Sequence, residues 1–314
     1  MSTANGFPPS SFENAMAYVA TLISNPSAPA LTYEAIHAAL SVLPQAQDPV
    51  VLDEGVAVDI HFVPQLAADA GALADAVRGA LNGAPIDVVV QLETGRRKRL
   101  FLADMDSTMI GQECIDELAD LVGLKAHVSA ITERAMRGEI AFEPALRERV
   151  ALLRGLSASV VGDVLRERIT LTPGGPELVG TMKANGAYAA LVSGGFTLFT
   201  QEIAARIGFD ENRANELLVE DGTLLGAVAE PILGREAKLA TLVDLRDRLH
   251  LAPSETMAVG DGANDLAMLG EAGLGVAYHA KPAVAAAAHA RIDHGDLTAL
   301  LYMQGYRSSE FRTV

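Results

Sequence analysis

Three short apolar runs, at residues 100–103, 188–192 and 256–259, each end abruptly in a cluster of polar and glycine residues. Runs this short and this apolar indicate strands that are covered on both faces, as in parallel sheets. A fourth run, at 274–278, has the same character. Because ligands of open parallel sheets bind beyond the carboxyl ends of the strands, the three clusters predict one site built from distant parts of the chain.

The first cluster, DMDST, places Asp104 and Asp106 one residue apart directly after a strand. Like charges held this close are costly unless a cation or phosphate chemistry uses them. One carboxylate can act as a nucleophile while the other moves the proton of the leaving group. Taken alone, the cluster is equally typical of a helix N-cap or turn, where Asp, Ser and Thr are common.

The third cluster, GDGAND, contributes Asp261, Asn264 and Asp265 at another strand end. Asp261 and Asp104 together offer the carboxylate oxygens that Mg²⁺ prefers. The alternative is a dinucleotide-binding glycine loop. That alternative is disfavoured because Asp265 replaces the third glycine of the motif and would repel a pyrophosphate.

Two further features suit an anion. Ser193 and Gly194 open the SGG cluster, whose hydroxyl and N–H groups fit phosphate oxygens at the start of a helix. Leu191 stands where the nucleophile elbow of a hydrolase needs glycine, so the SGG cluster is not such an elbow. Lys238 lies near the start of a predicted helix at 237–249 and, taken alone, would be a solvated side chain.

In the order DxDST, SGG, Lys and GDGxND, these motifs resemble those of the haloacid dehalogenase superfamily and, within it, the phosphoserine phosphatases. The resemblance extends from about residue 100 to the end of the chain. The spacing also agrees, with 23 residues from Lys238 to Asp261 and nine from Asp104 to Glu113. It implies an α/β fold, a Rossmannoid parallel sheet with a helical cap inserted after its first strand.

The resemblance also implies the chemistry. Asp104 would be the nucleophile that takes the phosphoryl group, and Asp106 would protonate the leaving hydroxyl and then activate water. Mg²⁺ would be held by Asp104, the backbone carbonyl of Asp106 and Asp261, with Asp265 in support. The residues that would hold phosphate oxygens are Ser193, Gly194, Lys238 and Asn264.

In the cap, the resemblance implies that Glu113 and Arg149 bind the amino-acid end of the substrate, while Met136 and Phe142 close the pocket. A glutamate can attract an ammonium group and an arginine can clamp a carboxylate with two hydrogen bonds. Without the resemblance, Glu113 would be expected to cap a helix and Arg149 to lie on a solvated helix face.

The implied function is Mg²⁺-dependent hydrolysis of L-phosphoserine to L-serine and phosphate through an aspartyl-phosphate, the last step of serine biosynthesis. Two alternatives stay open at this stage. The same fold could transfer the phosphoryl group to another alcohol or cleave another small phosphomonoester. The N-terminal segment could sense an amino acid or form a homodimer.

Before residue 94 the pattern is different. Strands are predicted at 18–23, 50–52, 55–62 and 86–92, and helices at 33–42, with Thr32 as its cap, and 67–81. This β-α-β-β-α-β order predicts a ferredoxin-like α+β domain at 14–93, similar to ACT-type regulatory domains, after a flexible tail at 1–13. The basic cluster at 96–99 is interpreted as a solvated linker.

The catalytic core is assigned to 94–110 and 170–314. The cap is assigned to 111–169, with predicted helices at 113–122, 126–137, 143–153 and 158–168. Later, the pair Asp221-Gly222 between apolar runs at 215–219 and 223–229 predicts a two-residue β-hairpin.

Charge and composition limit the classes of binding partner and the cellular location that we expect. The sequence has 24 Lys and Arg against 40 Asp and Glu, a net charge of −16, which disfavours nucleic acid as a partner. The first basic residue is Arg78, which is untypical of secretory or transit peptides, and no apolar run is long enough to span a membrane. Cys114, the single cysteine, is expected to be a buried thiol. We therefore expect a cytoplasmic protein.

Overall fold

A computed structural model describes residues 17–64 and 69–313. The predicted tail at 1–13 and the first two residues of the predicted helix at 67–81 lie outside the described residues. Within the described ranges, no helix combines the length and apolar character needed to cross a bilayer.

The first part of the chain is a four-stranded antiparallel sheet with two helices on one face. Its elements are β1 (Tyr18–Ser24), α1 (Tyr33–Val42), β2 (Val50–Asp53), β3 (Ala57–Phe62), α2 (Ala70–Ala80) and β4 (Ile86–Leu92). The strand order β2-β3-β1-β4 is the ferredoxin-like one, as predicted. The Thr32 hydroxyl accepts the Ala35 N–H and starts α1, which confirms the predicted cap.

The second part is a six-stranded parallel sheet in the order β12-β11-β10-β5-β6-β7. Its strands are β5 (Leu100–Ala103), β6 (Tyr188–Phe196), β7 (Glu211–Asn215), β10 (Thr256–Gly260), β11 (Leu274–Tyr278) and β12 (Ala290–Ile292). The helices of this part are α7 (Gly175–Ala184), α8 (Thr197–Ile207), α9 (Arg235–Arg248), α10 (Leu266–Glu271), α11 (Pro282–Ala287) and α12 (Ala299–Tyr302).

Strand β5 is buried on both faces. Leu100 and Leu102 join one apolar cluster with Leu242 of α9, while Phe101 joins the opposite cluster with Phe199 of α8. All five side chains are fully inaccessible to solvent. The short, fully apolar run is therefore a strand that is covered on both faces of the sheet, as predicted.

The insertion after β5 is helical throughout, as predicted. Its helices are α3 (Cys114–Asp120), α4 (Lys125–Met136), α5 (Phe142–Ala151) and α6 (Val160–Glu167). The helix α4 has its predicted length but begins one residue earlier, and the other three are shorter than predicted. An antiparallel bridge between Ile110 and Leu171 joins the two chain segments that enter and leave the cap. The cap therefore rests on a narrow neck directly after β5.

The predicted hairpin is present, with a shifted first strand. It consists of β8 (Leu217–Glu220) and β9 (Thr223–Val228). Asp221 and Gly222 both have positive φ, 47° and 75°, as a tight hairpin turn requires. Asn215, assigned to the hairpin from the sequence, instead ends β7, where its amide donates to the backbone oxygens of Gly194 and Leu233.

The prediction of a solvated linker at 96–99 is wrong for Arg96 and Lys98, which are buried, whereas the other two residues of the segment are exposed. Arg96 is 9% exposed, and its guanidinium holds both oxygens of Asp59 on β3 at 2.7 and 3.0 Å. The same guanidinium donates to the backbone oxygens of Tyr302 and Met303 near the end of the chain. Arg96 therefore ties the N-terminal sheet to the C-terminal segment.

Replacing Arg96 by Ala should lower the free energy of unfolding by ~3–5 kcal/mol, because it leaves the Asp59 carboxylate buried without its partner. Urea denaturation followed by circular dichroism measures the change. The matched control is Arg99→Ala, which removes an ion pair between exposed partners and should cost less than ~1 kcal/mol. Equal stability of the Arg96→Ala and wild-type proteins would contradict this account.

Candidate active site

The loops after β5 and β10 and the C-terminal end of β6 meet at one edge of the parallel sheet, beneath the cap. They enclose a cavity together with residues of α3, α4 and α5. Its lining residues are Asp104, Asp106, Glu113, Ile115, Met136, Phe142, Leu146, Arg149, Ser193, Gly194, Gly195, Phe196, Asp261 and Asn264. Strand order explains the convergence, because β5 lies between β6 and β10 in the sheet.

Lys238 lies beneath the cavity floor in an arrangement of buried charges. It is fully buried, and its Nζ lies 2.7 Å from Asp104 Oδ1 and 2.6 Å from Asp265 Oδ1. Burial alone would lower the pKa of Lys238, but the ion pairs with Asp104 and Asp265 outweigh it and raise the pKa. The alternative of a solvated lysine is therefore wrong.

Asp104 is held in one orientation. Its Oδ1 accepts the backbone N–H of Met105 at 2.8 Å in addition to the Lys238 contact. Burial and the neighbouring Asp265 and Asp261 carboxylates raise the pKa of Asp104, against the effect of Lys238. The site therefore carries more negative charge than Lys238 neutralises.

Asp106 contacts the start of α3 and the SGG cluster. Its Oδ1 accepts the backbone N–H of Cys114 at 2.8 Å, and its Oδ2 accepts the Ser193 hydroxyl at 3.3 Å. Burial raises the pKa of Asp106, although the Cys114 N–H acts in the opposite direction. A carboxyl group with a raised pKa next to a cavity is suited to giving and taking a proton.

The two glycines of the SGG cluster allow close approach. A Cβ at Gly195 would lie 2.7 Å from Asp106 Oδ2, and one at Gly194 would lie 2.6 Å from Cζ of Phe142. The Gly195 N–H also donates to Ser193 Oγ at 2.8 Å. A side chain at Gly195 would therefore collide with Asp106, and one at Gly194 would collide with Phe142 of the cap.

The donor set fits a divalent cation. Asp104, Asp261 and Asp265 are buried, and one carboxylate oxygen from each lies within 4.8 Å of the others. Burial and the Asp265 charge raise the pKa of Asp261 to about 7, so an added positive charge would stabilise the ionised group. Asn264 Oδ1 is also buried and has no hydrogen-bond partner among the described residues. Hard oxygen donors in this number are typical of Mg²⁺ sites.

Glu113 and Arg149 both face the cavity from the cap. Glu113 makes no side-chain capping bond to α3; instead its Oε1 accepts the Ser107 hydroxyl at 2.7 Å. Enclosure raises the pKa of Glu113, and the nearby Asp106 charge adds to the effect. Arg149 is 2% exposed, so it does not lie on a solvated face. The alternative for Arg149 is therefore wrong, while Glu113 does occupy the N-cap position of α3, with its side chain turned to Ser107.

Several site residues carry no sequence motif of their own. Ile115, Leu146 and Phe196 supply apolar lining, and nothing distinguishes them from core residues in the sequence. Ser107 has a positive φ of 55°, which turns the DMDST segment and brings its hydroxyl to Glu113. Its place within DMDST could have singled it out. Cys114 is buried in the first turn of α3, as predicted.

Comparison with known proteins gives consistent matches. Residues 101–270 match the family model of haloacid dehalogenase-like hydrolases. A phosphoserine phosphatase from Polaromonas sp. (strain JS666 / ATCC BAA-500) is 48% identical over 208 residues, which cover 65% of this chain and 88% of that protein.

Two solved structures extend the comparison. A HAD-family hydrolase from Salmonella enterica serovar Typhi superposes with a TM-score of 0.79 at 29% identity, over 91% of this chain and 98% of that chain. A phosphoserine phosphatase solved as an analogue of its phospho-aspartyl intermediate gives 0.63 at 39% identity, over 66% of this chain and 98% of that chain. The first of these likenesses includes the N-terminal sheet as well as the core.

Proposed function

Because the chain belongs to the phosphoserine phosphatases of the haloacid dehalogenase-like hydrolase family, and is thus a phosphomonoester hydrolase, we propose that it hydrolyses L-phosphoserine. The products are L-serine and inorganic phosphate, as in the last step of serine biosynthesis. The observation that supports this substrate most strongly is the pair Arg149 and Glu113 in the same cavity as Asp104. These residues offer a cation for a carboxylate, an anion for an ammonium group and a nucleophile for phosphorus.

In this proposal the substrate is bound at both ends. The Arg149 guanidinium receives the carboxylate and Glu113 receives the ammonium group, while Met136 and Phe142 close the cavity above the serine carbon atoms. The phosphate is held by the Ser193 hydroxyl, the Gly194 N–H, the Lys238 ammonium and the Asn264 amide. Binding at two ends fixes the phosphorus in line with the Asp104 carboxylate.

Phosphoryl transfer then takes two steps. An Asp104 oxygen forms a bond to phosphorus as the bond from phosphorus to the serine oxygen breaks, and protonated Asp106 gives its proton to that oxygen. In the second step, ionised Asp106 takes a proton from water, which attacks phosphorus and breaks the bond to Asp104. The raised pKa of Asp106 supports the first step, because the shift favours the protonated form of the acid.

The same site accommodates a magnesium ion. Asp104, the backbone carbonyl of Asp106 and Asp261 would hold it, with Asp265 in support. When bound, Mg²⁺ supplies positive charge to the transferring phosphoryl group. The role of this chain's own residues is to hold the phosphoryl oxygens and to orient the Asp104 carboxylate, whose Oδ1 is fixed by Met105 and Lys238.

Phosphate release from a panel of small phosphomonoesters tests the proposal. The panel contains both phosphoserine enantiomers, phosphothreonine and phosphoethanolamine, each assayed with Mg²⁺. We expect the highest kcat/KM for L-phosphoserine. A parallel assay with added homoserine detects transfer to another alcohol. A higher kcat/KM for phosphoethanolamine, or a phosphorylated homoserine product in place of phosphate, would contradict the proposal.

Replacing Arg149 by Ala should raise the KM for phosphoserine by at least ~30-fold, because it removes the buried partner of the substrate carboxylate. The KM for phosphoethanolamine, which lacks that carboxylate, should change by less than ~3-fold. The matched control is Arg147→Ala on the same helix, whose ion pairs lie at the surface. Equal increases in KM for the two substrates would disprove the carboxylate clamp.

A further inference from the structure

Arg149 is a buried cation without a direct ion pair. Its side chain is 2% exposed, and no carboxylate of the described residues lies within ion-pair distance of its guanidinium. Its Nε donates to the Ala145 backbone oxygen at 3.0 Å, one turn earlier on α5, and its Nη1 donates to Thr132 Oγ1 at 2.8 Å. In the described part of the chain, Nη2 has no hydrogen-bond acceptor. The guanidinium is thus held on one side and open on the other.

Besides Glu113, which lines the same cavity, a buried negative charge lies one hydroxyl group away from Arg149. Thr132 Oγ1, on α4, donates to Asp116 Oδ1 at 2.8 Å, and Asp116 lies on α3. The second oxygen of Asp116 accepts the Ser129 hydroxyl at 2.6 Å. Thr132 and Asp116 are 3% and 8% exposed, so this chain of hydrogen bonds is shielded from solvent. It connects three cap helices to a single side chain of the active site.

The hydrogen bonds of Thr132 Oγ1 hold this hydroxyl between Arg149 and Asp116. Its hydroxyl also lies 3.1 Å from the Val128 backbone oxygen, one turn earlier on its own helix, which fixes the side-chain rotamer. A hydroxyl has one proton and two lone pairs, so it can donate toward Asp116 and still accept from Arg149. A valine of the same shape could do neither.

We propose that Thr132 and Asp116 are positioning residues that make Arg149 the carboxylate-recognising group of the cavity. Thr132 fixes the direction of the guanidinium, and Asp116 stabilises its charge through the hydroxyl. Because Asp116 does not pair with Arg149 directly, it leaves Nη2 free for the substrate. A direct ion pair would fill that position and compete with the incoming carboxylate.

This inference rests on the proposed function, because it concerns how the substrate carboxylate is recognised. Its test measures KM and kcat for L-phosphoserine, together with the inhibition constant of inorganic phosphate, which reports on the phosphate-binding end alone. We expect Thr132→Val to raise KM about 10-fold, since the charge-assisted hydrogen bond to Arg149 is lost. We expect kcat to change less than ~3-fold and the phosphate inhibition constant less than ~2-fold. Thr132→Ser keeps the hydroxyl and should restore KM to within ~3-fold of wild type.

Three further measurements separate positioning from general structural support. In an Arg149→Ala background, Thr132→Val should change KM by less than ~2-fold, because the two substitutions remove the same interaction. Asp116→Asn keeps the shape and removes the charge, and it should raise KM at least ~3-fold with the phosphate constant unchanged. If Thr132→Val does not fold, Asp116→Asn tests the positioning role in its place. Ser129→Ala removes a partner of Asp116 only and should raise KM less than Thr132→Val does.

The outcomes distinguish the inference from the function on which it rests. If Arg149→Ala raises KM strongly while Thr132→Val or Asp116→Asn leaves it at the wild-type value, the positioning role is overturned and the function stands. The positioning role is overturned in the same way if Thr132→Val raises KM by one factor in both backgrounds. If Arg149→Ala itself has no larger effect on phosphoserine than on phosphoethanolamine, the proposed function fails first.

Discussion

Replacing Asp104 by Asn should lower kcat for phosphoserine by at least ~10⁴-fold, because it removes the proposed nucleophile, on which both proposed chemical steps depend. The amide has the same shape, and its oxygen can still accept from Met105 and Lys238. The buried Lys238 keeps its ion pair with Asp265 at 2.6 Å. We therefore expect the far-ultraviolet circular dichroism spectrum to be unchanged while steady-state phosphate release is lost.

The control for this variant is Asp247→Asn, the same chemical change at a carboxylate that is 69% exposed on α9. Its kcat and KM should equal those of the wild type. An Asp104→Asn enzyme that retains more than a few percent of the wild-type kcat would show that another group attacks phosphorus.

Removing divalent cations should lower kcat at least ~10³-fold, because the proposed Mg²⁺ would supply several kcal/mol of charge stabilisation in phosphoryl transfer and each 1.4 kcal/mol is a factor of ten. The physical reason lies in the crowded carboxylates Asp104, Asp261 and Asp265, which Lys238 alone does not neutralise. The enzyme is treated with EDTA, exchanged into metal-free buffer and assayed before and after addition of Mg²⁺. Activity should return with the metal.

A second readout of metal binding does not depend on turnover. Mg²⁺ should raise the Tm of the wild-type protein, since a ligand that binds the folded state stabilises it. The Asp261→Asn variant should lose most of that increase. Full activity in EDTA, or an equal increase in Tm for both proteins, would contradict the assignment of these carboxylates to a metal site.

Sequence patterns predict those parts of this fold in which burial leaves a mark on the neighbouring residues of the same strand or helix. A strand covered on both faces needs an unbroken apolar run, so β5, β10 and β11 stand out in the sequence. Edge strands need no such run. The sequence of β7 is ENRAN, which is mostly polar, and β12 has three residues, so neither was predicted. Asn215 was assigned to the hairpin for the same reason, because the end of β7 has no apolar pattern.

Burial with a distant cause could not be predicted. The cluster at 96–99 has the composition of a solvated linker, and only the approach of Asp59 and the C-terminal segment makes Arg96 a buried residue. Thr132 and Asp116 are likewise ordinary residues on two cap helices until folding brings them to Arg149. The motifs of the proposed active site can be recognised in the sequence because their residue types, and not their burial, identify them. Phosphoryl chemistry demands particular residue types at strand ends, and those types are visible in the sequence.

Chemical trapping of the phosphorylated enzyme tests whether Asp104 takes the phosphoryl group. The protein is mixed with ³²P-labelled phosphoserine, quenched in acid within milliseconds, digested and analysed by mass spectrometry. We expect a phosphate on the peptide that contains Asp104, released by hydroxylamine as an acyl phosphate and absent from Asp104→Asn. A labelled phosphate that resists hydroxylamine, as an ester on Ser107 or Thr108 would, or no covalent phosphate at any quench time, would contradict this role of Asp104.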